Sequence, residues 1–523
     1  MNTDRYKYLN KSPESFWIST TSKTNYPILN SDLDVDIAIV GGGMTGLLCA
    51  YQLRLEGFNI VILEADRIIT GTTAFSTAKI TSQHDFIYDK LINSVGEELA
   101  SQYATANEIA INEIKKIIDG NNIDCQFLEQ EAFIYAQQDA YIKQIENEIK
   151  AASYLGIKAS FVEEIPFPIK IKAGLKFENQ AQFHPRKFLL SIAEILQKLN
   201  IQIYEQTRVV ELEKHVMDSY ILTTNNGNTV AAKKVIIASH YPFYNKHAMY
   251  YTRLYQERAY ALAIKAEEKY PGGMYISVEQ PTRSLRGTTN GDEEYILVVG
   301  ENHKSGQGEP TNNHYKNLIE FADKVFTIKD IPYRWSTQDV MTMDSVPLIG
   351  NYSSDFNNLY IATGFKKWGM TSSMVSAMIL RDLISKGKSP WQDVFDPSRR
   401  TIAASAKSFV KENVNVAGQL IDGKLENPSK KIRLKPGEGK IVKIDGDRSG
   451  VYKDENGDLH IVNTTCTHMG CELNWNEAEK SWDCPCHGSR FNIDGEILTG
   501  PAVHQLSKDK DVNIIKKLIN EDF

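Results

Sequence analysis

Two boxes near the C-terminal end carry the clearest chemistry of this chain: CTHMGC at 466–471 and CPCHGS at 484–489. Cys466 with His468, and Cys484 with His487, each join a thiolate to an imidazole at short spacing, while Gly470, Pro485 and Gly488 bend the loops. Two sulfurs and two nitrogens suit an asymmetric [2Fe-2S] centre with one iron on each pair. Ligand type alone would also allow a Cys2His2 zinc site. The spacing C-x-H with C-x-x-H, in two glycine-bearing loops, departs from zinc-finger spacing and favours the redox centre.

A second constellation lies near the other end. The apolar run 35–40 enters Gly41-Gly42-Gly43-Met44-Thr45-Gly46, a G-x-G-x-x-G turn between a strand and a helix. Gly41 permits the tight turn, Gly43 lets a pyrophosphate approach the backbone, and Gly46 lets the helix pack on the strand. A second strand over 59–63 delivers Glu64, where a carboxylate can accept a ribose hydroxyl. FAD and NAD both suit such a unit. The following stretch 71–84, GTTAFSTAKITSQH, is small and hydroxylated, with Thr72 and Thr73 at its start, and suits close approach by a flat ring system. A late strand over 358–362 ends in Thr363-Gly364, and a helix over 369–386 stops at Gly387. Its N-terminus would offer positive dipole to the negative N1 and O2 region of a reduced flavin.

The C-terminal boxes resemble the Rieske iron-sulfur family. That resemblance implies Cys466, His468, Cys484 and His487 as cluster ligands, a Cys471–Cys486 disulfide, and Gly500-Pro501-Ala502 as a covering proline loop. Ser489 is placed to donate a hydrogen bond to a cluster sulfur, whereas Phe491 stands where high-potential members carry a tyrosine.

Over 34–400 the chain resembles the FAD-dependent oxidoreductases of the D-amino-acid oxidase type, which include glycine, sarcosine and related amine oxidases. The resemblance implies a Rossmann-like α/β FAD-binding domain assembled from separated segments, with an inserted, mostly β substrate domain, followed by a small all-β Rieske domain. It puts Gly41, Gly43, Gly46 and Glu64 at the ADP half, Val209 near the adenine, and Ala238 and Gly364 at FAD-facing strand ends. The segment 365–369, Phe-Lys-Lys-Trp-Gly, departs from the Gly-His-Gly-like turn of many amine-oxidising relatives. It holds no cysteine to tether a flavin, so noncovalent FAD is expected.

These readings divide the chain into an N-terminal extension (1–33), the oxidoreductase (34–405), a linker (406–431) containing Asn427-Pro428-Ser429-Lys430-Lys431, and the Rieske domain (432–523). FAD-binding parts are expected over 34–90, 185–240 and 336–402, and substrate parts over 91–184 and 241–335. A formal charge of −7 gives no electrostatic case for nucleic acid. No run of about 18 apolar residues suggests a membrane span, and the first residues lack a secretory h-region, so a cytoplasmic protein is expected.

Substrate residues are less legible. Tyr250 to Arg258 alternates like a strand, and Arg253 and Arg258 could hold a carboxylate. Arg283 and Arg286 form a second such pair. His84 follows the flavin-proximal stretch, and His184 suits a helix cap or a packing role as well as catalysis. Lys367 could favour an anionic reduced flavin, although a solvated loop lysine is the simpler reading.

Joining a two-electron flavin to a one-electron cluster implies that an electron pair is split stepwise; with the resemblance to amine oxidases, the leading expectation is oxidation of an amine or amino acid, electrons leaving singly to an external acceptor that could be a protein. Rival readings are an electron-transfer component serving a partner enzyme and a redox sensor. Because Phe491 carries no hydroxyl, a redox titration should place the centre below the top of the Rieske range of roughly −150 to +300 mV; a midpoint near the upper limit would contradict this. Acid precipitation should release the flavin, and colour retained on the pellet would refute noncovalent binding.

Overall fold

The computed structural model describes residues 3–245, 248–399, 403–425, 433–444 and 447–508. The polar motif 427–431 lies outside them.

One sheet is built around five parallel strands in the spatial order Phe356–Thr363, Thr229–Ile237, Leu33–Val40, Ile60–Leu63 and Gln202–Tyr204. Their apolar residues are buried on both faces, as parallel sheets require. Leu348–Ser353 closes one edge antiparallel, and the hairpin Val209–Lys214/Tyr220–Thr224 adds to Thr229–Ile237. Val40 pairs with both Leu63 and Ile237, so three strand ends open at one level. The helices Met44–Leu53 and Gly369–Lys386 start beside that level and contribute Leu47, Leu48, Val375 and Ile379 to a common core.

A nine-stranded mixed sheet forms the second layer. It includes the long strands Leu254–Ala266, Glu293–Lys304 and Ile328–Thr342 together with Leu128–Ala136 and Ala173–Gln182. Lys79–Ile80 and the whole of Ile328–Thr342 belong to this sheet, so the exchange between layers falls inside spans expected to be purely FAD-binding. The expected strand over 250–258 begins instead as a short turn, Tyr250–Thr252, before Leu254–Ala266.

Two small antiparallel sheets follow, one of three strands over 439–463 and one of four over 474–499. Trp482, Phe491 and Leu473 fill the core beneath the 466–471 and 484–489 loops. Much of the span expected as a linker is the helix Ala403–Leu425. Val416 and Leu420 of that helix pack on the small domain, and Asn413 Nδ2 donates to the Thr252 carbonyl of the larger one. Among the described residues no helix is long and apolar enough to cross a membrane.

Candidate functional site

The glycine turn is shaped by backbone contact. Gly41 has φ +115°, and a Cβ there would lie 2.5 Å from the Ala238 carbonyl oxygen. A Cβ on Gly46 would fall 1.9 Å from the Gly41 oxygen, so the helix sits directly on the turn. Gly43 caps that helix with no side-chain hydrogen bond, and Thr73 Oγ1 accepts from Met44 N at 3.2 Å. Glu64 accepts from Gly42 N at 2.7 Å and from Asp66 N at 2.9 Å, and burial pushes its carboxyl up. Val209 begins the adjoining hairpin and is buried. Gly364, at φ +75°, lies against the Thr342 methyl. The helix Gly369–Lys386 also starts without a side-chain cap, and the buried Trp368 Nε1 and Thr342 Oγ1 have no partner among the described residues. A helix start held only by Thr73 and a second with no side-chain cap, beside a backbone-tight turn with orphaned polar atoms nearby, fit a dinucleotide such as FAD.

The stretch 71–84 is held by its carbonyls. Ser15 donates to Ala74 O, Trp335 Nε1 to Phe75 O, Trp17 Nε1 to Ser76 O, and Arg286 to Thr77 O and Ala78 O at 2.7 and 2.8 Å. Arg286 thus commits Nη1 and Nε to backbone carbonyls. Arg283 turns instead to Glu301. The expected pairing fails because residues three apart on a strand face opposite sides. Arg253 and Arg258 separate likewise. Arg253 lies over the Tyr250 ring, whereas the buried Arg258 donates to Ser336 and Gln338 and lies 4.0 Å from Asp483 of the small domain.

His84 is buried, with Nε2 donating to the Thr81 carbonyl and Nδ1 accepting from Tyr103 O–H, each at 2.7 Å. Burial pulls its pKa down to about 3, and its ring stacks on Trp368. Both nitrogens are occupied, which suits positioning rather than proton transfer. His184 caps the helix Pro185–Lys198. Lys367 is not the solvated lysine expected. It pairs with Asp339 at 3.2 Å and Glu257 at 3.5 Å; burial lowers its pKa, but these carboxylates outweigh that and hold it above its ordinary value. Sequence reasoning passed over Lys79, a buried amine donating to Tyr275 O and Ser284 Oγ, whose pKa burial draws down to about 7. Only its burial marks it out.

In the small domain, Cys466 and Cys484 are buried free thiols in contact, and the His468 and His487 rings lie 5.1 Å apart. Burial pulls His468 to about 4 and, with His468 adding to it, His487 to about 3, so both imidazoles stay neutral. The Cys466 thiol is held below its usual range, first by Cys484 and, against the effect of burial, also by Ser489. Ser489 Oγ accepts from Ala502 N at 3.0 Å, leaving its own proton for the sulfur. The buried His487 Nδ1 has no partner among the described residues. Two thiols, two neutral imidazoles and an orphaned ring nitrogen fit a metal centre. Cys471 and Cys486 form a disulfide beside Cys484.

The two halves meet closely at two glycines. A Cβ at Gly306, φ +69°, would lie 2.8 Å from Cys484 C and Pro485 N, and one at Gly488, φ +72°, 2.8 Å from Gln256 Cδ. Gln307 Nε2 donates to Pro485 O, Asn474 Nδ2 to Gly306 O, and Tyr315 O–H to Glu479, each at 2.8 Å.

Fold and site thus define a dinucleotide-type oxidoreductase carrying a Cys2His2 redox centre. The FAD dependent oxidoreductase family (DAO) matches residues 36–383, and the Rieske [2Fe-2S] domain matches 428–514. The chain belongs to the FAD-dependent oxidoreductase family, with a C-terminal Rieske domain, and its cofactors are accordingly FAD and a [2Fe-2S] cluster. It is 42% identical over 502 residues to YhfW of Bacillus subtilis, which bears the name of a Rieske 2Fe-2S iron-sulfur protein; the match covers 96% of this chain and 98% of that protein. It is 22% identical to gamma-glutamylputrescine oxidoreductase of Escherichia coli, over 71% of this chain and 88% of that one. The glycine oxidase of Geobacillus kaustophilus shares the fold at TM-score 0.60 and 15% identity, over 71% of this chain and all of that one.

Arg286→Met should strand two buried carbonyls and lower stability by about 2–6 kcal/mol, at roughly 1–3 each, with loss of bound flavin. Unchanged unfolding and flavin content, alongside a raised KM for substrate, would instead restore the carboxylate role.

Proposed function

We propose that this protein oxidises a C–N bond of an amine or amino-acid-like substrate and delivers the electrons singly to an external acceptor. When bound, FAD supplies two-electron acceptance and the [2Fe-2S] cluster one-electron relay. The carrying observation is the close joint between the second sheet and the 484–489 loop, with Thr72 and His240 tying that sheet to the dinucleotide side through the Gln338 carbonyl. The names of the E. coli and G. kaustophilus relatives support an amine or amino acid as donor.

In this reading Gly41, Gly43 and Gly46, with the start of Met44–Leu53, hold the pyrophosphate. Glu64 takes the ribose, and Val209 borders the adenine. Ala238 and Gly364 allow close approach at the strand ends, with Thr72 and Thr73 along the ring. Cys466, His468, Cys484 and His487 ligate the cluster, their imidazoles already neutral and ready to coordinate. The carbonyl row of 74–78, fully tied, keeps the flavin-facing stretch rigid and water out. Burial of Cys471 and Cys486 would shield their disulfide in a reducing cytoplasm, the compartment proposed.

Anaerobic mixing of the holoprotein with pools of amines and amino acids tests this, following flavin absorbance and low-temperature EPR together. Flavin bleaching followed by a rhombic cluster signal is the expected result. Bleaching with a silent cluster would sink the relay. If no pool bleaches the flavin while dithionite reduces both centres, the donor class is wrong.

A further inference from the structure

We infer that Gln338, acting with Gln256, is the positioning residue that locks the cluster-bearing loop to the flavin side for internal electron transfer. This rests on the relay proposed above. Gln338 lies near the end of the strand Ile328–Thr342, and the two ends of the residue face different partners. Its backbone carbonyl accepts from Thr72 Oγ1 at 3.3 Å and from His240 Nε2 at 2.9 Å, both on turns beside the dinucleotide sheet. Its side chain reaches the other domain.

The side-chain network has a single polarity. Arg258, which can only donate, gives a hydrogen bond from Nη2 to Gln338 Oε1 at 3.2 Å. That turns Gln338 Nε2 towards the Gly488 carbonyl at 2.7 Å and Gln256 Oε1. Gln256 Nε2 then donates to the His487 carbonyl at 2.6 Å. A donor-only group at one end and carbonyl acceptors at the other fix the orientation of both amides. Both glutamines are buried, so each hydrogen bond replaces one that water cannot supply. Gly488 has no room for a side chain here, which lets the amides reach the loop backbone. The Tyr251 ring meets His487 edge-on at 5.8 Å and borders that ring from a second side.

Each transfer oxidises the reduced flavin by one electron and reduces the cluster by one, with no bond made between them. An external one-electron acceptor resets the cluster before the second transfer, and the flavin's protons pass to solvent. Tunnelling falls steeply with separation, so loosening this loop should slow transfer without touching flavin reduction.

The test uses full-length holoprotein with Gln338→Met and, separately, Gln256→Met, each of which keeps the volume, removes one amide and leaves the backbone contacts of residue 338 with Thr72 and His240 intact. Laser-flash reduction by a deazaflavin radical puts one electron on the flavin, and its passage to the cluster is followed by absorbance. Both variants should transfer at least tenfold more slowly than the parent, at unchanged flavin and iron content, with shifted g-values for the dithionite-reduced cluster and faster hydrogen exchange at 486–489. Parent-like transfer and g-values in both variants would overturn the role of the glutamines while leaving the relay standing. An absence of transfer in the parent itself would overturn the relay, and the positioning role with it.

Discussion

The placement of the 484–489 loop depends on two glycines that let the chain come close across a domain boundary. At Gly306 and Gly488 the chain adopts left-handed φ values; a Cβ at Gly306 would meet the Cys484–Pro485 backbone, and one at Gly488 the Gln256 and Gln338 side-chain amides. A side chain at either place would push the 484–489 loop outward. The main-chain polar groups at this contact need partners, and the half-buried Gln307 and Asn474 supply them at one end of the joint. The buried charges Arg258 and Asp483, with the half-buried Arg490, are tolerable because they pair with one another. Asp483 accepts from Arg490, Ser481 and Asn476, with Arg258 near its second oxygen.

A related economy governs the flavin-facing stretch. Five successive carbonyls, 74 to 78, are satisfied by donors drawn from the N-terminal extension and the second sheet. None belongs to the dinucleotide sheet. The extension thus works as a strap, with Phe16 and Trp17 buried and Arg334 holding the Leu9 and Lys11 carbonyls.

Local features were legible in the sequence. The helix Gly369–Lys386 ends where Gly387 adopts φ +75°, and the strands Leu33–Val40 and Ile60–Leu63 flank the glycine turn as their apolar runs require. Both are decided by a few neighbouring residues. The arginines were misread because composition names a charge but not its face. Arg283 and Arg286 diverge by strand alternation, and Arg286 finds its acceptors more than 200 positions away. Lys367 was misread because its carboxylate partners, Asp339 and Glu257, come from two distant strands.

By itself, the sequence determined the chemical kinds of site: a glycine turn with its acid, and two Cys-His boxes whose ligands lie within a few residues of each other. Short-range spacing suffices there, because turn geometry and ligand type are local properties. Only the tertiary structure decided that the cluster loops join the second sheet, that Gln256 and Gln338 occupy that joint, and which partners Arg258 and Arg286 meet within the chain. Those outcomes depend on which buried donor meets which buried carbonyl, and that pairing is set by sheet register across hundreds of residues rather than by any local pattern.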